Sequence, residues 1–266
     1  KPAEAVRAKK DSSMTVGLKL VKNGAAAAFV SAGNSGGVLA AALFSLGRIQ
    51  GIKRPALSTV YPTLKGRCFI LDVGANTDCK PEYLLQFGII GSAYVQRMWG
   101  VPRPRVGLLS TGEEEGKGST LVREAYALLK ESSLNFIGNV EGKDIPLGLA
   151  DVVVTDGFSG NVVIKLSEGV ARLITSILEE EIRRRPQAML GALLSQSAMR
   201  AAKGRLDYTE YGGGALLGVK GVTIVAHGRS NAKAIKNAVR VAMQAVEKGL
   251  LTAIEEGVQE LYTQPR

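Results

Sequence analysis

The chain has 266 residues, 45% of them apolar, and a formal net charge of +10 from 34 Lys and Arg against 24 Asp and Glu. That balance is globular and gives no sign of disorder, and two cysteines, Cys68 and Cys79, are too few for a disulfide framework or a four-ligand zinc site. The excess of cations calls for an anionic partner, whether a phosphate compound, an acidic protein, nucleic acid or a membrane surface, without choosing among them.

Helical periodicity begins at once, in KPAEAVRAKKDSSMTVGLKLVKNG, with no strand ahead of it, so a leading N-terminal segment is expected before Lys1. No apolar run approaches the roughly 18 residues of a membrane span, and the opening lacks the charged-then-apolar layout of a signal peptide. The cytoplasm is the expected compartment. Strand-like runs then recur as AAAAFVSAG, CFILDVGAN, RVGLLSTG, NFIGNVEG, ADVVVTDG and VTIVAHG. Each is a short apolar stretch closed by a Gly-bearing turn, and helical stretches separate most neighbours. The rhythm predicts an α/β fold in three layers, α/β/α, around a mostly parallel sheet whose ligands gather at the carboxyl ends of the strands.

Two of those ends share a grammar. FVSAGNSGGVLAAALF carries Ser31, Gly33, Asn34, Ser35 and Gly36 between an apolar strand and an alanine-rich helix. VVVTDGFSGNVVIK carries Asp156, Gly157, Ser159, Gly160 and Asn161 in the same place. A helix that starts in such small residues offers unpaired N–H groups at its positive end, and these favour an anion. Taken singly, each stretch is also ordinary turn and cap chemistry. The remaining strand ends add Asp72 and Asn76, the loop from Ser110 through Glu114 to Lys117, Asn139 with Glu141, and His227 with Ser230.

Beyond Asn161 the rhythm changes. Leu166, Val170, Leu173, Ile174, Ile177 and Leu178 stand at helical spacing, the charges EEEIRRR follow, and Pro186 interrupts the helix. A second helix presents Met189, Leu190, Leu193, Leu194 and Met199 on its apolar side. A projecting hairpin over residues 178–206 is expected, and it reads either as a core-completing or dimerising element or as a membrane-surface contact.

Familiar cofactor motifs fail on inspection. In GEEEGKGST, Gly112 is one residue too close to Gly116 and Lys117 for a P-loop, Gly118 stands where Ser or Thr is needed, and three glutamates would repel a polyphosphate. YGGGALLG misses the dinucleotide spacing, because Leu217 falls at the third glycine position counted from Gly212. No cofactor is expected. There is no G-x-S-x-G elbow, and Cys79 has little beside Lys80 to lower its pKa. Asp72, Asp78 and Asp156 show no ligand spacing, so no metal is expected, and the few scattered aromatics argue against nucleic acid. Three groups able to do charge chemistry remain. Lys117 lies between two glycines that let a ligand approach closely, His227 is the single histidine, and Asn161 is either an amide donor or a cap.

AVRAKKDSSM, VSAGNSGG, LDVGANTDCKPE, PRVGLLSTGEEEGKG, NFIGNVEG, ADVVVTDGFSGNVVIK, YGGGALLGVKG and AHGRSNAKAI together resemble, in order and spacing, the bacterial phosphate acyltransferases of phospholipid synthesis, the PlsX family. The resemblance covers essentially the whole chain. It implies transfer of a fatty acyl group from acyl carrier protein to inorganic phosphate, giving an acyl phosphate, on a fold similar to that of isocitrate and isopropylmalate dehydrogenases. It further implies a homodimer in peripheral contact with the inner face of the membrane, with the 178–206 hairpin serving both contacts. The family's opening DAMGGD-type segment is absent here, Ser35 and Ser159 replace a frequent Thr, and YGGGALLG departs from the usual Ala and Pro after the second glycine.

By that resemblance and by charge, Lys117 is expected to bind phosphate and neutralise the oxyanion, Asn161 to hydrogen-bond phosphate or the thioester oxygen, and His227 to move a proton or position a substrate. Ser31, Gly33, Asn34, Ser35, Gly36, Asp72, Asn76, Glu114, Asp156, Gly157, Ser159 and Gly160 are expected to line the substrate pocket, the amides at 33–36 and 157–160 forming one anion cradle. Arg103, Arg105 and Arg123 are candidate contacts for the acidic carrier. The alternatives are phosphotransacetylase-like transfer with coenzyme A and a non-enzymatic membrane-binding protein.

Overall fold

A computed structural model describes residues 1–206 and 208–263. Its eight strands are β1 (Ala28–Ser31), β2 (Ala56–Thr63), β3 (Gly66–Leu71), β4 (Val106–Leu109), β5 (Phe136–Val140), β6 (Val152–Val154), β7 (Gly214–Leu217) and β8 (Val222–Val225). They form one sheet in the order β1-β8-β7-β2-β3-β6-β4-β5. All six runs expected as strands are strands. β2 and β7 are additional, and both were hidden by residues that disfavour strands. Pro62 sits in β2, where it is tolerated because β7 pairs only with Ala56 and Leu57 and leaves that side of Pro62 open. β7 is four residues long and opens on the third of three consecutive glycines.

Four of the seven pairings are parallel, and the three in the middle, β8 with β7, β7 with β2 and β2 with β3, are antiparallel. Two of these are hairpins, Leu64 and Lys65 connecting β2 to β3 and residues 218–221 connecting β7 to β8, and the third is the long-range pairing of β2 with β7. A hairpin reverses the chain, whereas a crossover helix preserves its direction. β1 and β8 therefore run opposite to β3, β6, β4 and β5, and the register through Ser58 and Ala215 sets Val30 and Ile224 level with Leu71 and Val154, so the carboxyl ends of the two sets point in opposite directions from nearly the same height of the sheet.

Strand alternation divides the core between two helical layers. Phe69, Leu71, Val152 and Val154 pack with α4 (Pro81–Tyr94), α5 (Thr120–Lys130), α9 (Ala232–Glu247) and α10 (Leu250–Thr263). Cys68, Ile70 and Val153 face the other way, against Val163 and Ile164 of α6 (Gly157–Arg183). On that same face, β7 and β8 meet α2 (Ser13–Lys22) and α3 (Ser35–Ser45), with α1 (Pro2–Ala8) laid over α3. The fold is the expected three-layer α/β/α sandwich. Only the first turns of α6 touch the sheet. Farther along, Leu166, Leu173, Ile174, Ile177 and Leu178 are exposed. The helix ends at Arg183, Pro186 opens α7 (Pro186–Leu194), and α8 (Gln196–Leu206) follows after Ser195, so the returning arm of the hairpin is two helices.

Candidate functional site

At the corner where β6 gives way to α6, every early amide already has an acceptor. The Asp156 carboxylate caps the helix, accepting from the N–H groups of Phe158 at 3.0 Å and Ser159 at 2.9 Å and from the Ser159 hydroxyl at 2.7 Å. The Gly157 N–H donates to the Asn76 carbonyl at 2.7 Å and the Gly160 N–H to the Asp156 carbonyl at 3.0 Å. The anion cradle expected from Gly157 to Gly160 is therefore absent, because the chain's own carboxylate and carbonyls occupy it. The small residues have another cause. A Cβ at Gly157 would lie 2.6 Å from the Asn76 carbonyl oxygen, and one at Gly160 would lie 1.9 Å from that of Asp72. α6 begins directly against the backbone of residues 72–76.

Asp72 holds that backbone in shape. It is wholly buried, and its carboxylate accepts from the N–H groups of Leu57, Gly74, Ala75 and Asn76 and from the Asn76 side chain. Burial pushes its pKa up while these donors pull it down. Asn76 donates again to the Pro55 carbonyl at 2.8 Å. The expectation that Asp72 lines a substrate pocket fails: with no exposed surface, it organises the loop instead. Nor do Asp72, Asp78 and Asp156 gather around a common point, since Asp72 and Asp156 each serve their own ring of donors.

Asn161 leans over this loop. Its Nδ2 donates to the Val73 carbonyl at 3.1 Å, and the close approach needs glycine at 74, where φ is +140° and a Cβ would come within 3.0 Å of the amide nitrogen. The residue is otherwise exposed. β4 lies beside β6 and runs parallel to it, so the loop from Ser110 to Ser119 leaves the same edge. Buried Asn139 pins that loop by donating to the Glu114 carbonyl at 2.7 Å, and Lys117 N–H donates to the same oxygen at 3.0 Å. Glu115 pairs with Lys130 and Glu141 with Lys143, whereas Lys117, exposed, pairs with no described carboxylate. Lys117 and Glu114 lie side by side over Gly112.

The β1 corner opens in the opposite direction. Ser31 Oγ accepts from the Gly33 N–H at 3.2 Å, and Asn34 Oδ1 caps α3 by accepting from the Gly37 N–H at 2.9 Å. The exposed amides of Ser35 and Gly36 have no acceptor among the described residues. His227 follows β8 in the same direction, its Nδ1 accepting from the Arg229 N–H at 3.3 Å. Burial, then the nearby cations Lys165 and Arg229, hold its pKa below the ordinary imidazole value. These cations meet because α6 crosses the sheet face: Glu168 has Arg172 at 3.7 Å, Lys165 at 3.9 Å and Arg229 at 4.0 Å. Lys117 and Asn161 thus leave from the tips of β4 and β6, and His227 and the α3 amides from the oppositely directed tips of β8 and β1, with Glu168 of α6 reaching Arg229 beside His227. Arg105 is not a free docking contact either, since it grips Asp151 through two hydrogen bonds of 3.0 and 2.9 Å. Burial pushes the Cys68 and Cys79 thiols up to about 12, which leaves neither a nucleophile near neutral pH.

The architecture places the chain in a class of α/β proteins that includes phosphotransacylases. The EutD phosphotransacetylase from Staphylococcus aureus superposes with a TM-score of 0.53 at 17% identity, over 92% of this chain and 67% of that one. A 4-hydroxythreonine-4-phosphate dehydrogenase from Klebsiella pneumoniae superposes with a TM-score of 0.50 at 14% identity, over 88% and 69% of the two chains. At such identities the likeness is one of fold alone. Sequence goes further. Residues 1–253 match the family described as fatty acid synthesis protein, and the phosphate acyltransferase of Heliobacterium modesticaldum is 53% identical over 257 residues, 97% of this chain and 77% of that protein. The phosphate acyltransferase of Alkaliphilus oremlandii is 54% identical over 261 residues, 98% and 78% of the respective lengths. The chain belongs to this fatty acid synthesis protein family, and its activity is acyl transfer to phosphate in phospholipid synthesis.

Proposed function

We propose that the transfer takes place at the edge where β4 and β6 end, with an acyl carrier thioester as donor and inorganic phosphate as nucleophile. A phosphate oxygen adds to the thioester carbonyl, the tetrahedral oxyanion collapses with cleavage of the C–S bond, and the carrier thiolate leaves and takes up a proton. Phosphate is already a competent nucleophile, so the protein need only orient it and stabilise the oxyanion. Lys117 supplies the charge for both tasks. Asn161, held by Val73, turns its remaining amide hydrogen toward phosphate or the thioester oxygen. The observation that carries this reading is the Lys117 ammonium, unpaired among the described residues, on a glycine-flanked loop at the edge where Asn161 stands in the first turns of α6.

His227 acts from the tip of β8 as a positioning group, with the Ser35 and Gly36 amides, unpaired among the described residues, and the cations Lys165, Arg172 and Arg229, a surface that suits an acidic carrier. The exposed apolar side chains of α6 and α7 support both a dimer contact and peripheral attachment to the inner face of an anionic membrane, on a single α/β domain. The test is to incubate the protein with acyl carrier thioester and phosphate and trap acyl phosphate as its hydroxamate, with a coenzyme A thioester in parallel. Hydroxamate from the carrier thioester, lost in Lys117→Ala, is expected. Equal product from the variant rejects the site, and product from coenzyme A alone rejects the donor.

A further inference from the structure

Beside the loop that Asp72 organises lies an open cavity of about 420 Å³, walled by Leu43, Arg48, Lys53, Arg54, Pro55 and Tyr83. Three of these six residues are cations and none is an acid. Some surface cations find carboxylates, as Lys130 does in Glu115, Arg105 in Asp151 and Lys233 in Glu210, and others stand alone among the described residues; what sets this cavity apart is that three unpaired ones line a single concavity. Arg48, Lys53 and Arg54 form no ion pair with any described residue. Arg48 is instead tied by a guanidinium hydrogen bond to the Lys53 carbonyl, which holds two of the cationic residues together.

Three like charges around one concavity repel each other, and an anion between them relieves that repulsion. α4 begins at this wall with Tyr83 in its first turn; its N-cap Lys80 contributes no side-chain cap, and Glu82 in the same turn offsets part of the helix's positive end. Leu43 and Tyr83 give the cavity an apolar side that a bare inorganic ion would not use. The pocket is also joined to the Lys117 edge, because Pro55 in its wall accepts the hydrogen bond from Asn76, whose carbonyl in turn receives the Gly157 N–H.

We propose that this cavity is a binding site for a phosphate ester on an organic stem, Arg48 and Arg54 forking onto phosphate oxygens, Lys53 acting as a point charge, and Tyr83 with Leu43 covering the stem. The ester can arrive on the acyl donor or on a free phosphorylated metabolite. The inference uses none of the residues assigned to acyl transfer, so it stands or falls apart from that assignment.

The probe is 4′-phosphopantetheine, titrated calorimetrically into the full chain, with pantetheine as the same stem lacking phosphate. Binding of the phosphate ester is expected, weakened at least about tenfold in pantetheine and at least about tenfold in a Lys53→Gln, Arg54→Gln variant. Both substituted residues are exposed and make no side-chain hydrogen bond with a described residue, so the urea midpoint should match the parent. The pantetheine comparison needs no variant and guards against misfolding. Absence of phosphopantetheine binding, equal binding of pantetheine, or an unaltered affinity in a folded variant overturns the proposal. Steady-state kinetics then separate the sources. A raised KM for the acyl carrier thioester at constant kcat assigns the ester to the donor, and an unchanged KM alongside lost phosphopantetheine binding assigns it to a free metabolite. A rise in KM confined to inorganic phosphate overturns the proposal, because the cavity would then belong to the nucleophile's site.

Discussion

Replacing Gly160 by Ala tests the claim that the α6 corner is small for packing. Glycine inside a helix ordinarily costs about 1 kcal/mol relative to alanine, so the substitution should stabilise α6 wherever there is room. Gly169, in the same helix, has nothing within 4 Å of a built Cβ. At Gly160 the added carbon would stand 1.9 Å from the Asp72 carbonyl oxygen and 2.9 Å from Thr155 Cγ2. Contacts below 3.0 Å are essentially never seen for a real Cβ. Asp72 cannot retreat without breaking its set of hydrogen bonds, so α6 must lift by about 1 Å, stretching the 3.1 Å bond from Asn161 to Val73 until it is lost. Overpacking of this kind costs about 1–3 kcal/mol and the lost hydrogen bond about 1 kcal/mol, against about 1 kcal/mol gained in propensity. The net loss of about 1–3 kcal/mol corresponds to a Tm lower by about 2–10 °C for a protein of this size. Displacing a substrate-facing group by about 1 Å can also remove about a hundredfold in turnover. Thermal melts and hydroxamate assays on Gly160→Ala and Gly169→Ala decide the matter. The reasoning is refuted if Gly160→Ala melts at or above the parent, or if the two variants behave alike.

Lys117→Ala should lower turnover by about 10²–10³-fold, the effect of removing one oxyanion-stabilising group, while its urea midpoint stays within about 0.5 kcal/mol of the parent. Asp72→Asn would set an amide against a ring of N–H donors and should cost about 3 kcal/mol or more in urea unfolding; an unchanged midpoint would remove the structural role given to Asp72. His227, with its folded pKa below the unfolded value of 6.5, binds a proton less readily when folded. Stability should therefore fall as pH drops from about 6.5 through the folded pKa and be unaffected by this group above that window. His227→Gln should flatten that dependence, and identical urea midpoints against pH for parent and variant would contradict it.

The strands most legible in the sequence include those buried on both faces, where a parallel strand is a nearly continuous apolar run such as VVV at β6 or CFIL in β3. The helix starts were legible for a similarly local reason, since Asn34 and Asp156 cap α3 and α6 within three residues of themselves. What the small residues at 157–160 were small for was not legible. Their neighbours, Asp72 and Asn76, are distant in the chain, and a glycine that admits a ligand has the same sequence signature as one that admits backbone. The engagement of Asp72 was hidden likewise, because one of its donors comes from Leu57 on β2, a strand that Pro62 disguised.

Local chemistry, then, was enough to determine the α/β class, six of the eight strands, the exposed apolar hairpin and the candidate Lys117, Asn161 and His227. Tertiary structure alone decided which of these share an edge. Direction in the sheet is set by the two hairpins together with the antiparallel pairing of β2 and β7 that joins its halves, a pairing sealed by Ser58, whose hydroxyl donates to the Ala215 carbonyl 157 residues away. No pattern confined to a dozen residues encodes a contact at that separation. Reversal of the chain at β2 and β7 points the β1 corner and the β6 corner in opposite directions, and α6, crossing the face of the sheet, brings Glu168 to Arg229 beside His227.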